Sequence, residues 1–149
     1  MLFLSRLNLI ILIICFFYSC SKEVEKISLI EEKSQELQMI DAYKEGLNEL
    51  EKGDVIYAAR KFNEVEIIYP QSIWAPRASL MAAYGYYSQS YYGDAILELE
   101  RFLDKYEKNP NKGYAYYLLA LCYYDQIIDE TKDFRRIVDA EKYFRIIIE

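Results

Sequence analysis

The sequence predicts an all-α fold in which pairs of helices repeat and stack into a superhelical solenoid. From about Met39 onward, apolar residues recur at intervals of three and four, the period of an amphipathic helix, and no sustained alternation predicts strands. The chain contains only 5 Gly and 3 Pro, which disfavours a loop-rich β-sandwich and a disordered chain. The helical segments also pair with similar internal spacing, as in a solenoid of helix-turn-helix repeats.

The composition excludes several classes of function. The chain has 149 residues and no His, so neither a Ser-His-Asp triad nor a His-ligated metal can form. Its formal net charge of −6 disfavours nucleic-acid binding, which requires a basic surface. Because the sequence also lacks a phosphate-binding loop, it predicts no catalytic residue, no metal and no cofactor. An enzyme is the least favoured class, and a helical binding module the most favoured.

Residues 1–19 have the features of a secretory signal peptide. Arg6 supplies a positive charge, the residues from Leu9 to Phe17 form an unbroken apolar run, and Ser19 is a small residue at its end. The run is shorter than the ~20 apolar residues that a transmembrane helix needs. Residues 20–38 follow as a polar stretch with Lys and Glu interleaved, and this stretch is predicted to be a flexible tether or an irregular helix.

The segment Phe17-Tyr18-Ser19-Cys20 resembles the lipobox of bacterial lipoproteins, in which the cysteine becomes the acylated first residue. The resemblance implies a lipid on Cys20, and Ser21 after it implies an outer-membrane address. A secreted protein without lipid and an uncleaved anchor are the alternatives. Since Cys15 lies in the signal, Cys122 remains alone in the mature chain and no internal disulfide can form. Its apolar helical surroundings predict a small buried residue.

Residues 39–149 contain about three repeats of one spacing. The first places Gly46, Ala58, Phe62 and Pro70 at intervals of 12, 4 and 8, which resembles the tetratricopeptide repeat. Small side chains at Gly46 and Ala58 allow the two helices of the repeat to cross closely, and Phe62 fills the space that they frame. Pro70 ends the second helix because proline cannot continue it.

The later repeats reuse this scheme with changes. Gly46, Ala58 and Phe62 correspond to Ala83, Ala95 and Leu99 in repeat two, and to Ala120, Ala140 and Phe144 in repeat three. Tyr86 and Tyr123 occupy the tyrosine position of the tetratricopeptide signature, three residues after the first small residue. Turns between the helices are predicted at Gly53-Asp54 and near Gly93-Asp94, because glycine accepts a left-handed backbone. Ala120 and Ala140 are 20 positions apart rather than 12, so about eight residues are inserted within residues 125–139.

The end of the chain falls inside the second helix of repeat three. Ile146, Ile147 and Ile148 then have no following repeat to cover them, whereas a solenoid normally ends in a polar capping element. We therefore expect a fragment that is truncated at its C-terminus. The alternative is a natural end that a partner covers.

Several short segments carry a more specific resemblance. They are Tyr69-Pro70-Gln71-Ser72 with Trp74-Ala75, Arg101-Phe102-Leu103, Asn109-Pro110-Asn111, and Tyr114-Ala115-Tyr116-Tyr117. With the lipobox and the lengthened third repeat, they are similar to the N-terminal part of the BamD family, the tetratricopeptide-repeat lipoproteins of the outer-membrane β-barrel assembly machinery.

The resemblance implies a location and a set of partners. Members of this family are anchored by lipid at the periplasmic face of the outer membrane, and they contact the barrel-forming central subunit and other assembly lipoproteins. They also receive unfolded outer-membrane proteins, including the C-terminal targeting segment, and assist their insertion. Since the family has about five repeats and contacts the central subunit mainly through the later ones, the chain would keep the substrate-facing repeats.

The first helix of each repeat lines the concave surface of such a solenoid. The predicted inward residues are Tyr43, Leu47 and Leu50 in repeat one, Leu80, Tyr84 and Tyr87 in repeat two, and Tyr117, Leu121 and Tyr124 in repeat three. Tyrosine offers a large, stiff contact area, so this lining suits an extended peptide with aromatic side chains. The alternative for the tyrosines is packing between repeats, which we expect for Tyr86, Tyr116 and Tyr123.

Two arginines have alternative roles. Arg77 and Arg101 either pair with the terminal carboxylate of a peptide or are solvated surface residues.

Two other functions are alternatives to outer-membrane protein assembly. The protein could be a periplasmic scaffold lipoprotein that coordinates cell-envelope or cell-wall synthesis, or a lipoprotein whose repeats mediate only self-association.

Overall fold

The computed structural model describes residues 33–129 and 131–149. This part of the chain contains six helices and no strand, in agreement with the predicted all-α repeat solenoid. The helices are α1 (Gln35–Lys52), α2 (Val55–Ile68), α3 (Trp74–Ser88), α4 (Tyr92–Lys105), α5 (Lys112–Tyr124) and α6 (Phe134–Ile148). Consecutive helices pack on one another, so that α1–α2, α3–α4 and α5–α6 form the three repeats. The predicted signal peptide and Cys20 lie outside the described residues.

Helix α1 begins at Gln35, whereas the sequence predicted the first repeat from about Met39. The Oγ atom of Ser34 accepts a hydrogen bond from the backbone N–H of Leu37 at 3.3 Å, which satisfies one of the free donors of the first turn. The last residues of the predicted tether are therefore regular helix. None of the helices in the described residues combines the length and apolar character that crossing a membrane requires.

The turns follow the sequence closely in repeat one and less closely in repeat two. Gly53 ends α1 with φ of 86°, and Asp54 caps α2 by accepting from the N–H of Tyr57 at 3.0 Å. In repeat two the left-handed residue is Ser90, with φ of 63°, while Gly93 lies inside the first turn of α4. Helix α2 ends at Ile68, two residues before Pro70, as predicted.

The insertion in repeat three is the link between α5 and α6, residues 125–133. Asp133 organises it, because its Oδ2 atom accepts hydrogen bonds from the N–H groups of Ile128 and Asp129 at 2.9 and 3.1 Å. Asp129 in turn accepts from the N–H and the hydroxyl of Thr131. The carboxylates of Asp129 and Asp133 therefore stabilise the loop by accepting hydrogen bonds from its backbone N–H groups.

Small residues bring the helices of a repeat together as the sequence predicted. A Cβ atom on Gly46 would stand 2.8 Å from the ring of Phe62, so only glycine fits where α1 crosses α2. Ala58, Ala95 and Ala140 occupy the matching position on the second helices, and all three are buried. Two core clusters result, one between repeats one and two and one between repeats two and three.

Candidate functional site

The predicted inward residues lie on the first helices α1, α3 and α5, in three rows. Members of a row are 37 positions apart in the sequence. The upper row is Tyr43, Leu80 and Tyr117; the middle row is Leu47, Tyr84 and Leu121; the lower row is Leu50, Tyr87 and Tyr124. The structure gives the three rows different surroundings, so they do not form one uniform surface.

The upper row faces the following repeat. The ring of Tyr43 meets Phe62 of its own repeat at 5.5 Å between centroids and Trp74 of repeat two at 5.1 Å, both edge to face. Leu80 is only 7% exposed, in the core cluster that α5 completes. Tyr117 is 45% exposed and meets Phe144 of its own repeat at 6.3 Å. Tyr43 therefore packs between repeats one and two, which is the alternative to a groove position.

The lower row also faces the following repeat. The Cδ1 atom of Leu50 lies 3.2 Å from the position that a Cβ on Gly85 would take. The hydroxyl of Tyr87 donates to the carboxylate of Asp125 at 2.9 Å, and burial together with this hydrogen bond raises the pKa of Tyr87 to about 12. Tyr124 is 58% exposed. Leu50 and Tyr87 thus join repeats, and Tyr124 occupies the same position on the last repeat.

The middle row leaves a tyrosine on the open surface of the first helices. Tyr84 is 41% exposed, and Tyr114 of α5 lies near both Tyr84 and Tyr117. The pKa of Tyr114 is raised, mainly by burial and further by the nearby hydroxyls of Tyr84 and Tyr117. We call these three residues the tyrosine surface. Leu47 and Leu121 are half-buried on either side of it in the row.

Two members of the tyrosine surface, Tyr84 and Tyr117, were among the groove residues predicted from the sequence. Tyr114 was not among the predicted groove residues, although it lies one helical turn before Tyr117. The signal that could have found it is the spacing of three on α5, which puts both rings on one face.

The two arginines have different roles. Arg77 is exposed, and its guanidinium lies over the ring of Trp74, 5.2 Å from the centroid. Arg101 does not fit either expectation, because it is neither open to a peptide nor simply solvated. Its guanidinium bonds to Glu66 and Glu98, each at 2.6 Å, and to Asn63 and Ser79.

Glu66 is the centre of this polar network. It is 4% exposed and accepts from Arg101, from the ammonium of Lys105 at 2.6 Å, and from the hydroxyl of Tyr106. Burial alone would raise the pKa of the Glu66 carboxyl, but the three hydrogen bonds outweigh burial and lower the pKa below its usual value. The network links α2 to α4, across the junction of repeats one and two.

The tyrosines that were expected to pack inside the molecule do so. Tyr86 contacts both core clusters, while Tyr116 and Tyr123 stack on the ring of Tyr143 in α6 at 6.2 and 5.7 Å. Cys122 is fully buried, and burial raises the pKa of its thiol to about 12. It therefore behaves as a small core residue.

Comparison with known proteins identifies the family. A model of the YfiO family, described as outer membrane lipoprotein, matches residues 35–149, the range that holds all six helices. The chain belongs to the YfiO family of outer membrane lipoproteins. This confirms the resemblance that the sequence motifs indicated.

Several relatives of the chain carry the name outer membrane protein assembly factor BamD. The protein of Caulobacter vibrioides is 37% identical over 115 residues, and that of Rickettsia prowazekii is 33% identical over 106 residues. These matches cover 76% and 71% of the chain but only 36% and 42% of the relatives. The chain thus spans well under half the length of the curated relatives that it matches.

The same printed name, outer membrane protein assembly factor BamD, belongs to a protein of Neisseria gonorrhoeae that is 28% identical over 93 residues. The alternative, a scaffold for cell-envelope or cell-wall synthesis, is not favoured by these matches. The described residues also contain no group of three or more Cys, Asp or Glu side chains that could hold a metal ion.

Proposed function

We propose that this protein is an outer-membrane β-barrel assembly factor that binds unfolded outer-membrane proteins through the tyrosine surface. Its family membership and the name of its relatives support the assembly role. The observation that carries the binding role is the cluster of Tyr84, Tyr114 and Tyr117, whose rings remain exposed on the surface of the first helices. In this role the protein binds and presents its substrate, and it performs no catalysis.

The chemistry of the tyrosine surface suits an extended segment with alternating aromatic side chains. Each ring offers apolar area and a hydroxyl that can donate to a peptide carbonyl, at little cost in side-chain entropy. Arg77 adds a positive charge on the same side of α3, about two turns before Tyr84. A C-terminal barrel strand, with its aromatic side chains and terminal carboxylate, matches both features.

The anchor and the partners are part of the same proposal. Acylation of Cys20 would hold the helical repeats at the periplasmic face of the outer membrane without a membrane-spanning segment. There the protein would act with the barrel-forming central subunit and with other assembly lipoproteins. Mass spectrometry of the mature N-terminus tests the anchor: we expect a triacylated Cys20, and an unmodified chain that starts before Cys20 would contradict it.

Peptide binding is tested with the full chain in detergent and a fluorescent peptide that copies the last strand of an outer-membrane barrel. We expect Tyr84→Ala with Tyr114→Ala to weaken binding about tenfold or more, because two exposed rings are removed from the contact. Ile67→Ala is the matched control, since Ile67 is an exposed apolar side chain on the second helix α2. Unchanged affinity in a double variant of normal helicity contradicts the proposed surface.

A further inference from the structure

Two isoleucines on the outer side of α2 are strongly exposed. Ile56 is 61% exposed and Ile67 is 80% exposed. They are 11 positions apart, which is about three helical turns, so both project from the side of α2 that is opposite the buried Ala58. We call Ile56, Arg60, Glu64 and Ile67 the outer face of α2. A cavity of about 690 Å3 lies beside these four residues.

Two opposite charges lie between the isoleucines, one helical turn apart. Arg60 is exposed, and its guanidinium lies over the ring of Tyr57, 4.6 Å from the centroid. Glu64 is partly exposed and pairs with Lys61 at 3.0 Å through Oε2, so its other oxygen can accept from a second cation. Along the helix, the outer face of α2 is therefore apolar, positive, negative and apolar.

This order is complementary to itself when the direction of the helix is reversed. A two-fold axis near residues 61 and 62 sets Ile56 of one copy against Ile67 of a second, antiparallel copy. The same axis sets Arg60 of each copy against Glu64 of the other. In a parallel arrangement, Arg60 would instead meet Arg60 and Glu64 would meet Glu64. The charges therefore favour the antiparallel arrangement alone.

The other second helices do not have this pattern. Counting from the small residue of each helix, the four equivalent positions are Gly93, Leu97, Arg101 and Asp104 in repeat two, and Val138, Lys142, Ile146 and Glu149 in repeat three. An antiparallel copy of α4 would set Gly93 against Asp104, and a copy of α6 would set Val138 against Glu149. Only α2 can bury an apolar pair at both ends of such a contact.

We propose that the outer face of α2 binds the outer face of α2 in a second copy of this chain, so that the two copies form a symmetric antiparallel dimer. The two contacts between Ile56 and Ile67 remove apolar surface from water, and the two pairs of Arg60 with Glu64 fix the register. The dimer uses a second helix, so it does not depend on peptide binding by the tyrosine surface of the first helices.

The size of the contact predicts a weak dimer. One helix face is smaller than the ~800 Å2 per partner that a stable interface buries, so association requires a high local concentration. The proposed lipid on Cys20 would supply it, because copies anchored in the same membrane are confined to one plane.

Reversal of the two charges tests the pairing. The full chain is studied by sedimentation equilibrium in density-matched detergent, and we expect a dissociation constant on the order of 100 μM. Arg60→Glu and Glu64→Arg should each weaken association about tenfold or more, because each variant brings like charges together twice. An equimolar mixture of the two variants should associate like the wild type, because opposite charges face each other again in the mixed dimer.

Lys44→Glu is the matched control, because Lys44 is an exposed cation on the first helix α1. It should leave association unchanged, and circular dichroism should show normal helicity in all three variants. No self-association up to about 1 mM protein overturns the proposal. A mixture that associates no better than either variant alone, or an equal loss in Lys44→Glu, also overturns it.

Disulfide formation tests the antiparallel register. Under mild oxidation, an equal mixture of Ile56→Cys and Ile67→Cys should give a linked dimer above the background of the wild type. Either variant alone should give much less, because the two copies of one position would lie about 16 Å apart along the helices. Cys122 is fully buried and does not compete. Cross-linking of Ile56→Cys alone that equals that of the mixture would overturn the antiparallel dimer.

Discussion

The two junctions between repeats use different chemistry on the same helical framework. Between repeats one and two, the rings of Tyr43, Phe62 and Trp74 pack together, and the buried carboxylate of Glu66 bonds to α4. Between repeats two and three, Leu80 and Leu99 replace Tyr43 and Phe62, the aromatic residues are Phe102 and the tyrosines packed around the cluster, and the polar link is the hydrogen bond from Tyr87 to Asp125. The comparison shows that the small residues set the crossing of helices, while the larger side chains decide what each junction recognises.

The contrast is sharpest at the position of Glu66. Counting from the small residue of each second helix, Glu66 corresponds to Leu103, and its partner Arg101 corresponds to Ile146 of the next repeat. An ion pair in the first junction is thus replaced by two apolar residues in the second. Buried ion pairs add little net stability compared with apolar pairs of similar volume, but they specify one geometry. We infer that the first junction is the more precisely oriented of the two.

The largest expected effect comes from removing the ring at the centre of the first junction. Phe62 is fully buried, so Phe62→Ala should lower the free energy of unfolding by about 3–5 kcal/mol. Leu99→Ala at the matching position of repeat two should cost about 2–5 kcal/mol. Urea titrations followed by circular dichroism measure both. If Phe62→Ala cost less than 1 kcal/mol, the aromatic cluster would not be the core of the first junction.

The second prediction concerns variants in which residues of the first junction are replaced by those found in the second. Glu66→Leu should destabilise the fold by about 2–3 kcal/mol, which is less than the usual cost of breaking a buried ion pair. The cost is smaller because Arg101 and Lys105 are partly exposed, and because Arg101 still forms its ion pair with Glu98. Adding Arg101→Ile reproduces the residues of the second junction and should recover most of that loss. A double variant less stable than the single one in the same urea titration would show that the junctions are not interchangeable.

Local patterns in the sequence predicted much of the fold. The spacing of Gly46, Ala58 and Phe62 predicted the close crossing of α1 and α2, because small side chains leave room for the ring of Phe62 between the two helices. The inserted residues of repeat three were predicted from the same spacing. The turn of repeat two was not, since the left-handed residue is Ser90, a position that carries no glycine signal.

Contacts between repeats were harder to predict. Arg101 and Glu66 are 35 residues apart, and nothing near either residue indicates the other, so Arg101 was expected either to pair with a peptide carboxylate or to be solvated. The sequence analysis also treated the three rows of the first helices as one groove surface. Helical periodicity predicts which residues share a face of a helix, but it does not predict which neighbouring helix packs against that face. Tyr43 and Tyr87 therefore counted as groove residues, whereas their rings join repeats.

The third prediction tests the crossing of helices within repeat one. Gly46→Ala should destabilise by about 1–2 kcal/mol, because the new Cβ would overlap the ring of Phe62 and the gain in helix propensity offsets only part of that strain. Gly93→Ala is the matched control: Gly93 is also helical but has nothing within 4 Å of the new Cβ, so a gain of up to about 1 kcal/mol is expected. Thermal unfolding of both variants measures the difference, and equal effects would contradict the steric role of Gly46.

The smallest expected effect is a dependence of the stability of the first junction on acidic pH. The pKa of Glu66 is lowered in the folded protein, so its contribution is complete above the unfolded pKa of about 4.3 and is lost as pH falls through the folded value. Glu66→Gln removes this dependence, so the gap in unfolding free energy between wild type and variant should be full at pH 7 and should narrow as the pH falls below about 4.3. The exposed Glu51 on α1 provides the control as Glu51→Gln. A gap that stays constant from pH 7 to pH 3 would mean that Glu66 acts through packing alone, and the ionic character of the first junction would then have no energetic consequence.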